Sequence, residues 1–508
     1  MPFEPPERFN IVDYFLLDRL TEGAGDRVAV RVGEDAWTYV QVAELADRFA
    51  RALRSHGVRQ EERVLIALPD GIDFVGAFFG VLELGAVVVM VNPQLEAEKL
   101  ADLFDYSRAR LAIIDSDGRQ AFEAAAEKAE WRPEIVESSA LTAAEPGQEP
   151  RVVAATHRDD PAIWLFSGGT TGRPKAVVQT HRSFANTTEL YAKGALGYGP
   201  EDVTLSVPKL YFGYATGSNL LFPFAVGGSA VLFPEHPTAE ILFGLIERHR
   251  PTILVNVPTM INQMVGHPEA AAADLSSLRF ATSAGEALPV PLYERWKETF
   301  GVELLDGLGT AEMWHIFVTN RPGDVSPGTL GRAVEGFDIK VADDEGAEVG
   351  PGEVGRMWVR GESRALGYWQ NLPQTAEAFR GEWFVGGDLI ERDVDGYVTY
   401  CGRSDDVLKV SGKWFAPSEL ESCLMQHPGV AECAVVGMTD DRGLTKPCAF
   451  VIANGGGEGL EEALKEHALA HLQPYKHPRR VFVVEALPRT HLGKIDRGRL
   501  KAEFTLDS

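Results

Sequence analysis

Cysteine is scarce in this sequence, and the cysteines that occur are scattered. The chain of 508 residues has four, at Cys401, Cys423, Cys433 and Cys448, and no two of them form a C-x-x-C pair. This spacing indicates neither a zinc site nor a disulfide framework. We therefore expect ordinary reduced thiols, as in a cytoplasmic protein.

Positive charge is also in short supply. Lys and Arg together number 49 against 74 Asp and Glu, which gives a formal net charge of −25. Such an excess of acid argues against nonspecific binding to nucleic acid or to an anionic membrane. A chain this acidic that holds a polyanion must do so with local basic groups, helix N-termini or a metal ion.

Long apolar runs are missing as well. The most apolar window covers residues 74–91, but Glu83 lies inside it and Gly85 interrupts it, which favours a buried helix followed by a strand over a membrane span. The N-terminus has no basic region followed by an apolar one, so we expect no signal peptide. These features predict a cytoplasmic protein that binds neither membrane nor nucleic acid.

The patterns that are present alternate between helix and strand. Before residue 150 they predict helices over 40–56, 72–84 and 96–107, strands over 63–68, 86–91 and 111–114, and a solvated connector over 137–152. Between residues 202 and 300 they predict strands over 202–208, 229–233, 253–257 and 279–283 and helices over 214–224, 238–249, 260–265 and 290–300. Alternation of this kind predicts parallel sheets with helices on their faces.

The predicted secondary-structure pattern changes in the last third of the chain. From Gly323 onward, short Gly-rich strands and turn signals predict an antiparallel, barrel-like module. After Gly402 a smaller α+β pattern follows, with helices over 417–426 and 461–472 and strands over 432–436, 448–452 and 480–484. The predicted fold class is therefore α/β, with two sheet-based subdomains, a barrel-like subdomain and a small α+β domain.

One loop carries the clearest sign of chemistry. It joins a strand over 161–166 to one over 176–178 and reads Ser167-Gly168-Gly169-Thr170-Thr171-Gly172-Arg173-Pro174-Lys175. Glycine lets backbone N–H groups approach a ligand closely, and consecutive inward amides form an anion-binding concavity. The hydroxyls add donors and the lysine adds charge, so the loop suits a polyphosphate. A surface hairpin turn is the alternative, and the spacing excludes a Walker loop.

Several stretches together resemble the adenylate-forming superfamily of acyl-CoA synthetases, luciferases and peptide-synthetase adenylation domains. In chain order they are the loop 167–175, residues 306–312, Gly387-Asp388, residues 402–406 and Gly493-Lys494. Within that superfamily, residues 208–214, 312–317 and 409–414 resemble the benzoate-CoA ligases most closely. The resemblance extends from about residue 10 to 500 and includes all the main motifs.

The resemblance implies a two-step reaction. A carboxylate attacks the α-phosphate of ATP to give an acyl-adenylate and pyrophosphate, and the thiol of coenzyme A then displaces AMP. It implies benzoate or a small-substituted benzoate as the acid, with Mg²⁺ as cofactor. A ligase for a hydroxybenzoate, a heteroaryl acid or a medium-chain fatty acid stays open, as does a non-catalytic nucleotide sensor. A homodimer also stays open.

The resemblance assigns catalytic roles to three residues. Lys494 would bridge the carboxylate and the α-phosphate, Glu312 would hold Mg²⁺, and Thr310 would donate a hydroxyl to phosphate. The residues expected to bind ATP or AMP are Ser167, Gly168, Gly169, Thr170, Thr171, Gly172, Lys175, Gly285, Glu286, Ala287, Asp306, Gly307, Asp388 and Arg403. Ala311, Gly168 and Ala176 depart from the family pattern, which has threonine, serine and glycine there.

The acid pocket, the coenzyme A side and the hinge are implied in the same way. The expected pocket residues are Gly213, Tyr214, Ala284, Gly309, His315 and Ile316, whose small members would leave room for a flat ring. No obvious buried charge is available to pair with a ring substituent, which favours plain benzoate. The expected coenzyme A residues are Lys409, Ser411, Gly412, Lys413 and Trp414. Asp405 would be the hinge between an N-terminal domain, 1–404, and a mobile C-terminal domain, 405–508.

Overall fold

The computed structural model describes residues 3–143, 150–167, 175–343, 345–404, 407–410, 413–440, 443–457, 459–489 and 495–504. In the first of these ranges the strands are β1 (Val28–Val32), β2 (Asp35–Thr38), β3 (Arg63–Ala67), β4 (Val87–Met90), β5 (Leu111–Ile114) and β6 (Glu134–Glu137). A π-helical turn, Asp13–Leu17, leads into the helices, which are α1 (Asp18–Thr21), α2 (Tyr39–Ser55), α3 (Ile72–Glu83), α4 (Ala97–Ser107), α5 (Arg119–Lys128) and α6 (Ser138–Thr142).

The middle of the chain continues the alternation. Its strands are β7 (Pro161–Ser167), β8 (Lys175–Thr180), β9 (Val203–Ser206), β10 (Ser229–Leu232), β11 (Ile253–Asn256), β12 (Phe280–Ser283), β13 (Glu303–Gly309) and β14 (Ile316–Thr319). Its helices are α7 (His181–Thr187), α8 (Gly213–Thr216), α9 (Phe222–Val226), α10 (Ala239–His249), α11 (Pro258–Gly266) and α12 (Val290–Phe300). The π-helical segments Thr188–Ala195 and Gly217–Leu221 follow α7 and α8, and 3₁₀ turns lie at Ala270–Ala272 and Ala311–Met313.

Two large sheets result. The first has the order β6-β5-β3-β4-β7-β8 and is parallel except at β8, which pairs antiparallel with β7. The second has the order β14-β13-β12-β11-β9-β10-β1-β2 and is parallel from β13 to β1. This pairing confirms the predicted parallel sheets. Their central strands could be predicted because strands buried on both faces are near-continuous apolar runs.

The predicted antiparallel module is a five-stranded sheet. The elements here are β15 (Arg332–Ala333), β16 (Asp338–Ala342), β17 (Val354–Arg360), β18 (Gly367–Tyr368), α13 (Leu372–Ala378), β19 (Phe379–Arg380), β20 (Trp383–Arg392) and β21 (Val398–Arg403). The sheet has the order β16-β17-β20-β19, with β21 also paired to β20. Strand β15 joins β14 at the edge of the second large sheet, and β18 joins β8 at the edge of the first.

The C-terminal part has its own sheet and core. Its elements are β22 (Leu408–Val410), β23 (Lys413–Phe415), α14 (Pro417–Leu424), β24 (Val430–Thr439), β25 (Thr445–Ala453), α15 (Leu460–His471), a 3₁₀ turn (Pro474–Lys476), β26 (Arg480–Val483) and α16 (Arg497–Glu503). Leu420 and Leu464 pack from α14 and α15 against one face of the sheet β24-β25-β26, and Leu500 packs from α16 against the other. The α+β prediction for this part is therefore confirmed.

Helix α2 shows how the sequence sets an element. Its cap, Thr38, accepts a hydrogen bond from Gln41 N at 3.3 Å, and Gln41 Oε1 accepts one from Thr38 N at 2.8 Å. This reciprocal pair is a capping box, which satisfies backbone donors that a helix start leaves open. The helix then buries one face, including Phe49, against α3.

The structure corrects one prediction and adds elements that were not predicted. The solvated connector over 137–152 contains α6, whose Ser138 and Leu141 are buried. Helix α7 was missed because its largely polar side chains are almost all buried, so no amphipathic period appears, and the π-helical segment after it was missed as well. The hairpin β1–β2, α5, β6 and α16 were missed too. Among the described helices, none has both the length and the apolar character needed to span a bilayer.

Candidate active site

The carboxyl ends of β12 and β13 bring predicted nucleotide residues side by side. Ser283 and Asp306 are register partners at the ends of these parallel strands. After Ser283 the chain turns at Gly285, whose φ of +89° lies in the left-handed region that favours glycine. In open α/β sheets, ligands bind at the carboxyl ends of strands, so this edge is the expected place for a nucleotide.

Several polar atoms at this edge are buried without a hydrogen-bond partner among the described residues. They are Ser283 Oγ, Asp306 Oδ1 and Thr310 Oγ1. Burial raises the pKa of Asp306 to about 8, and the nearby Ser283 hydroxyl and Gly307 N–H oppose this only in part. A cluster of unpartnered buried donors and acceptors is costly unless another group uses it. The Glu286 carboxylate is different, because it accepts hydrogen bonds from Thr259 N at 3.3 Å and Thr259 Oγ1 at 2.8 Å.

Glu312 lies beside this edge, in the 3₁₀ turn that joins β13 to β14. Its side chain is buried, and its Oε1 accepts a hydrogen bond of 2.8 Å from the Tyr368 hydroxyl. The turn is held by Gln179 Nε2, which donates to Ala311 O at 2.7 Å, and by Ala365 N, which donates to Glu312 O at 2.8 Å. The predicted metal-binding carboxylate therefore has a fixed position.

Tyr368 lies between Lys175 and Glu312 and contacts both. Lys175 opens β8 directly opposite Ser167, and its Nζ lies 5.4 Å from the centroid of the Tyr368 ring. Burial and the Glu312 carboxylate raise the pKa of Tyr368, and the Arg403 charge partly opposes them. Sequence reasoning missed Tyr368, because only its pairing with Val177 across β18 and β8 brings it here.

Asp388 and Arg403 form the other side of the site. They are register partners on β20 and β21, and Arg403 Nη1 lies 3.6 Å from Asp388 Oδ1. Asp388 is buried. A Cβ at Gly387 would lie 2.6 Å from Arg403 Nη2, so glycine there lets the guanidinium approach the strand. The pairing matches the predicted ribose and phosphate roles in position, while the roles themselves stay predictions.

The residues predicted for the acid pocket also converge. The Tyr214 and His315 rings lie 5.4 Å apart, and the Tyr214 hydroxyl is 2.7 Å from Thr282 Oγ1 on β12. His315 Nε2 lies 3.1 Å from Tyr214 O and 3.2 Å from Ser218 Oγ, while its Nδ1 is buried without a partner in the described structure. Burial lowers the pKa of His315 to about 4, so the imidazole is neutral near pH 7.

Two glycines predicted to line the pocket are also required by the packing around them. A Cβ at Gly309 would lie 2.4 Å from His315 O, and one at Gly213 would lie 3.2 Å from Leu165 Cδ1. Gly309 thus allows the close approach of backbone in the β13–β14 hairpin, where it pairs with Ile316. Sequence reasoning missed Gly217. A Cβ there would lie 2.5 Å from His315 Cδ2, so a side chain at this position would clash with the ring.

One buried titratable group does lie near the predicted pocket, although its raised pKa of about 8 keeps it neutral near pH 7. Asp306 is buried at the end of β13, close enough that its charge raises the pKa of Tyr214, to which burial contributes most. Sequence reasoning placed Asp306 beside the nucleotide only, because it belongs to a motif associated with the nucleotide. Ala284 is buried in the turn after β12, as a pocket of small residues requires.

Part of the predicted site lies outside the described residues. This part comprises Gly168, Gly169, Thr170, Thr171, Gly172, Asp405, Ser411, Gly412 and Lys494. Of the coenzyme A stretch, the described backbone forms the hairpin β22–β23, in which Lys409 pairs with Trp414 and Val410 with Lys413.

Comparison with known proteins places this geometry in a family. A family model described as AMP-binding enzyme matches residues 17–369, and one described as AMP-binding enzyme C-terminal domain matches residues 419–494. The chain is 39% identical to a benzoate–CoA ligase of Thauera aromatica, over 98% of this chain and 96% of the relative. It is 37% identical to a 4-hydroxybenzoate–CoA/benzoate–CoA ligase of Rhodopseudomonas palustris, over 99% and 95%.

Solved structures agree with these matches. An anthranilate CoA ligase in complex with anthranoyl-AMP superposes with a TM-score of 0.94 and 37% identity, covering 99% of this chain and 98% of the other. A benzoate CoA ligase from Burkholderia xenovorans LB400 superposes with a TM-score of 0.90 and 39% identity, covering 97% and 100%. The chain therefore belongs to the AMP-binding enzyme family, the adenylate-forming superfamily that its motifs resemble.

Proposed function

We propose that this protein is an ATP-dependent ligase that joins an aromatic carboxylic acid to coenzyme A. The acid first becomes an acyl-adenylate with release of pyrophosphate, and the coenzyme A thiol then displaces AMP. The observation that carries the proposal is the cluster of Lys175, Tyr368 and Glu312 beside the unpartnered polar atoms of Ser283 and Asp306. Relatives named as benzoate–CoA ligases support the same reaction.

The nucleotide would lie along the carboxyl edge of β12 and β13. Lys175 and the loop before it would hold the phosphates, and the paired oxygens of Asp388 would accept the ribose hydroxyls. Glu312 fits a Mg²⁺ ion, because a buried carboxylate beside a phosphate site offers the hard oxygen ligands that this cation prefers. When bound, Mg²⁺ would offset negative charge on the phosphates. The residues of this chain would then act mainly by positioning.

The second lysine of the mechanism would come from the C-terminal part. We propose that residues 405–508 move about Asp405, first to bring Lys494 to the reacting carboxylate and α-phosphate, and then to bring the β22–β23 hairpin to the coenzyme A side. A preorganised charged donor contributes about 10²–10³ in rate. Lys494→Ala should therefore abolish most adenylation and leave folding intact.

For the acid, benzoate is the first candidate. The pocket side chains are uncharged near pH 7, since burial lowers the pKa of His315 to about 4 and raises that of Asp306 to about 8. A benzoate bearing a hydroxyl or amino donor is the second candidate, favoured by the unpartnered Nδ1 of His315. Because Nε2 must donate to the Tyr214 carbonyl, Nδ1 is an acceptor. Comparing kcat/KM for benzoate, its monohydroxy derivatives and 2-aminobenzoate decides between them.

The deciding experiment measures pyrophosphate release with ATP and Mg²⁺, with and without benzoate and coenzyme A. We expect release that depends on the acid, and formation of benzoyl-CoA when coenzyme A is added. Nucleotide binding without acid-dependent release would instead favour a non-catalytic sensor. Release with hexanoate or octanoate in preference to every aryl acid would move the substrate class to medium-chain fatty acids.

A further inference from the structure

A group of potential metal ligands lies in the C-terminal part, away from the nucleotide edge. Cys423 on α14 and His467 and His471 on α15 each have a ligand atom, and these atoms all lie within 4.8 Å of one another. The two histidine rings are 4.3 Å apart between centroids. Nothing in the proposed ligase reaction uses these three residues. We propose that Cys423, His467 and His471 form a binding site for a divalent transition-metal ion of the Zn²⁺ class.

Each histidine ring also makes a hydrogen bond to a backbone carbonyl. His467 Nε2 lies 3.1 Å from Cys423 O, and His471 Nδ1 lies 2.8 Å from His467 O. A carbonyl oxygen can only accept, so each of these nitrogens carries the proton. The other nitrogen of each ring, Nδ1 of His467 and Nε2 of His471, therefore has a free lone pair. Metal-binding histidines typically donate their second N–H to a backbone carbonyl in this way, which fixes the tautomer and the ring orientation.

The donor set and its spacing favour Zn²⁺ over a hard cation. Histidines four residues apart on one helix face can bind one ion together, and thiolate with imidazole is a typical zinc donor set. Tetrahedral Zn²⁺ needs bonds of about 2.0–2.3 Å, so the ligand atoms would draw closer by roughly 1 Å. His471 is exposed and can make that adjustment. Three protein ligands would leave the fourth position to water.

Binding has a defined proton balance. The Cys423 side chain is buried, and an ordinary thiol carries its proton near pH 7 before metal arrives. Coordination of the thiolate sulfur would release that proton to solvent. The ion would tie α14 to α15 on one face of the C-terminal sheet.

Cobalt substitution tests the site directly. The full-length enzyme, first treated with a chelator, is titrated with Co²⁺ and followed by absorption. We expect one equivalent to bind with a thiolate-to-cobalt charge-transfer band and the strong visible bands of tetrahedral Co²⁺. Zn²⁺ should displace it. Cys423→Ser should lose the charge-transfer band, and His471→Ala, on the surface, should weaken Co²⁺ and Zn²⁺ binding by roughly tenfold or more while the protein stays folded.

Two matched controls make the result specific. Cys448→Ser removes a thiol from the opposite face of the same sheet, and His477→Ala removes a half-buried histidine outside the group. Both variants should keep the band and the affinity of the wild type. Absence of a charge-transfer band in the wild type would overturn the site, as would a band that survives Cys423→Ser. Zn²⁺ should also raise the melting temperature of the wild type and not that of His471→Ala.

Discussion

Tyr368 is the residue that joins the two charged sides of the site. Its hydroxyl donates to Glu312, its ring faces Lys175, and its pKa responds to Arg403. Because its hydroxyl contacts the Glu312 carboxylate, we regard it as a positioning residue for that group. Its position depends on the pairing of β18 with β8, which joins segments far apart in the chain.

Replacing Tyr368 tests this role. Tyr368→Phe removes one hydrogen bond to a carboxylate, a loss of about 1.5–3 kcal/mol, so kcat/KM for ATP in pyrophosphate release should fall by about ten- to a hundredfold. The KM for the acid should stay the same. Tyr397→Phe is the matched control, because the Tyr397 hydroxyl donates to Asp324 at 3.0 Å on the surface. Equal losses in the two variants would rule out a specific role.

Asp306 provides a prediction about pH. Burial raises its pKa to about 8 from 3.8, so the native state keeps a proton that the unfolded chain releases above about pH 4. The stability that this group contributes is complete below about pH 4 and is lost as pH rises toward about 8. Asp306→Asn cannot titrate, so its melting temperature should rise relative to that of the wild type between about pH 5 and pH 8.

Asp274 serves as the control for that experiment. Hydrogen bonds from the Ser276 side chain and backbone lower the pKa of Asp274 to about 2, and it lies on the surface. Its stabilising effect is present above about pH 4 and is lost only as pH falls toward about 2. Asp274→Asn should therefore differ from the wild type by a constant amount over the same pH range. A constant difference for Asp306→Asn as well would contradict the raised pKa of Asp306.

Single residues that belong to sequence motifs could be predicted, whereas residues whose role depends on distant contacts could not. Lys175, Glu312, Asp388 and Arg403 could be picked out because their neighbours in sequence form motifs. Gly217 could not, since its need to be glycine comes from His315, a ring brought in from a distant turn. The spacing of the cysteines likewise indicated no zinc site, and Cys423 lies near His467 and His471 only because α14 and α15 pack together.

Among the elements, the ones with a clear apolar period were predicted well. Helix α3 was predicted over 72–84 and runs Ile72–Glu83, and β5 was predicted without error as Leu111–Ile114. The hairpin β1–β2 was not predicted, because its short strands are partly exposed and β1 pairs with β10, which lies far along the chain. The pairing of strands that are distant in sequence depends on the whole sheet, so a short stretch of sequence does not predict it.

The contact of α2 with α3 provides a prediction at this scale. A Cβ at Gly80 would lie 2.6 Å from Phe49 Cβ and 2.8 Å from Ala46 O, so Gly80→Ala must push the two helices apart. We expect a loss of about 1–3 kcal/mol in the free energy of unfolding. The denaturant midpoint measures it, and activity per folded molecule should not change.

A second helical glycine is the control. Gly244 lies in α10, and a Cβ there would meet no atom within 4 Å. Gly244→Ala should leave stability unchanged or raise it by up to about 1 kcal/mol, because alanine is the better helix former. If both substitutions shifted the midpoint by the same amount, close packing of α2 on α3 could not be the cause.

On the scale of the whole molecule, the C-terminal sheet has a core of its own. One described hydrogen bond joins it to the larger part of the chain, from Asn262 Nδ2 to Ala431 O at 3.3 Å. A separate core is what allows one part to turn as a unit relative to another. The division at residue 405 and the movement about it remain proposals, since periodicity and packing describe each part and do not describe how one moves against the other.

A proline at the proposed hinge separates the two half-reactions. Proline fixes φ, so Asp405→Pro should prevent the change in backbone angles that a swing between two positions requires. Val394→Pro is the control, because Val394 follows Asp393 in an exposed turn closed by Gly396 N donating to Asp393 O at 3.2 Å, where proline is tolerated. The control should leave both half-reactions unchanged.

For Asp405→Pro, acid-dependent pyrophosphate release should stay within about threefold of the wild type, while conversion of preformed acyl-adenylate to thioester should slow by about tenfold or more. Equal slowing of both steps would mean that residue 405 contributes to folding or to nucleotide binding, and that the lysine at 494 and the β22–β23 hairpin reach the site without a turn at this position.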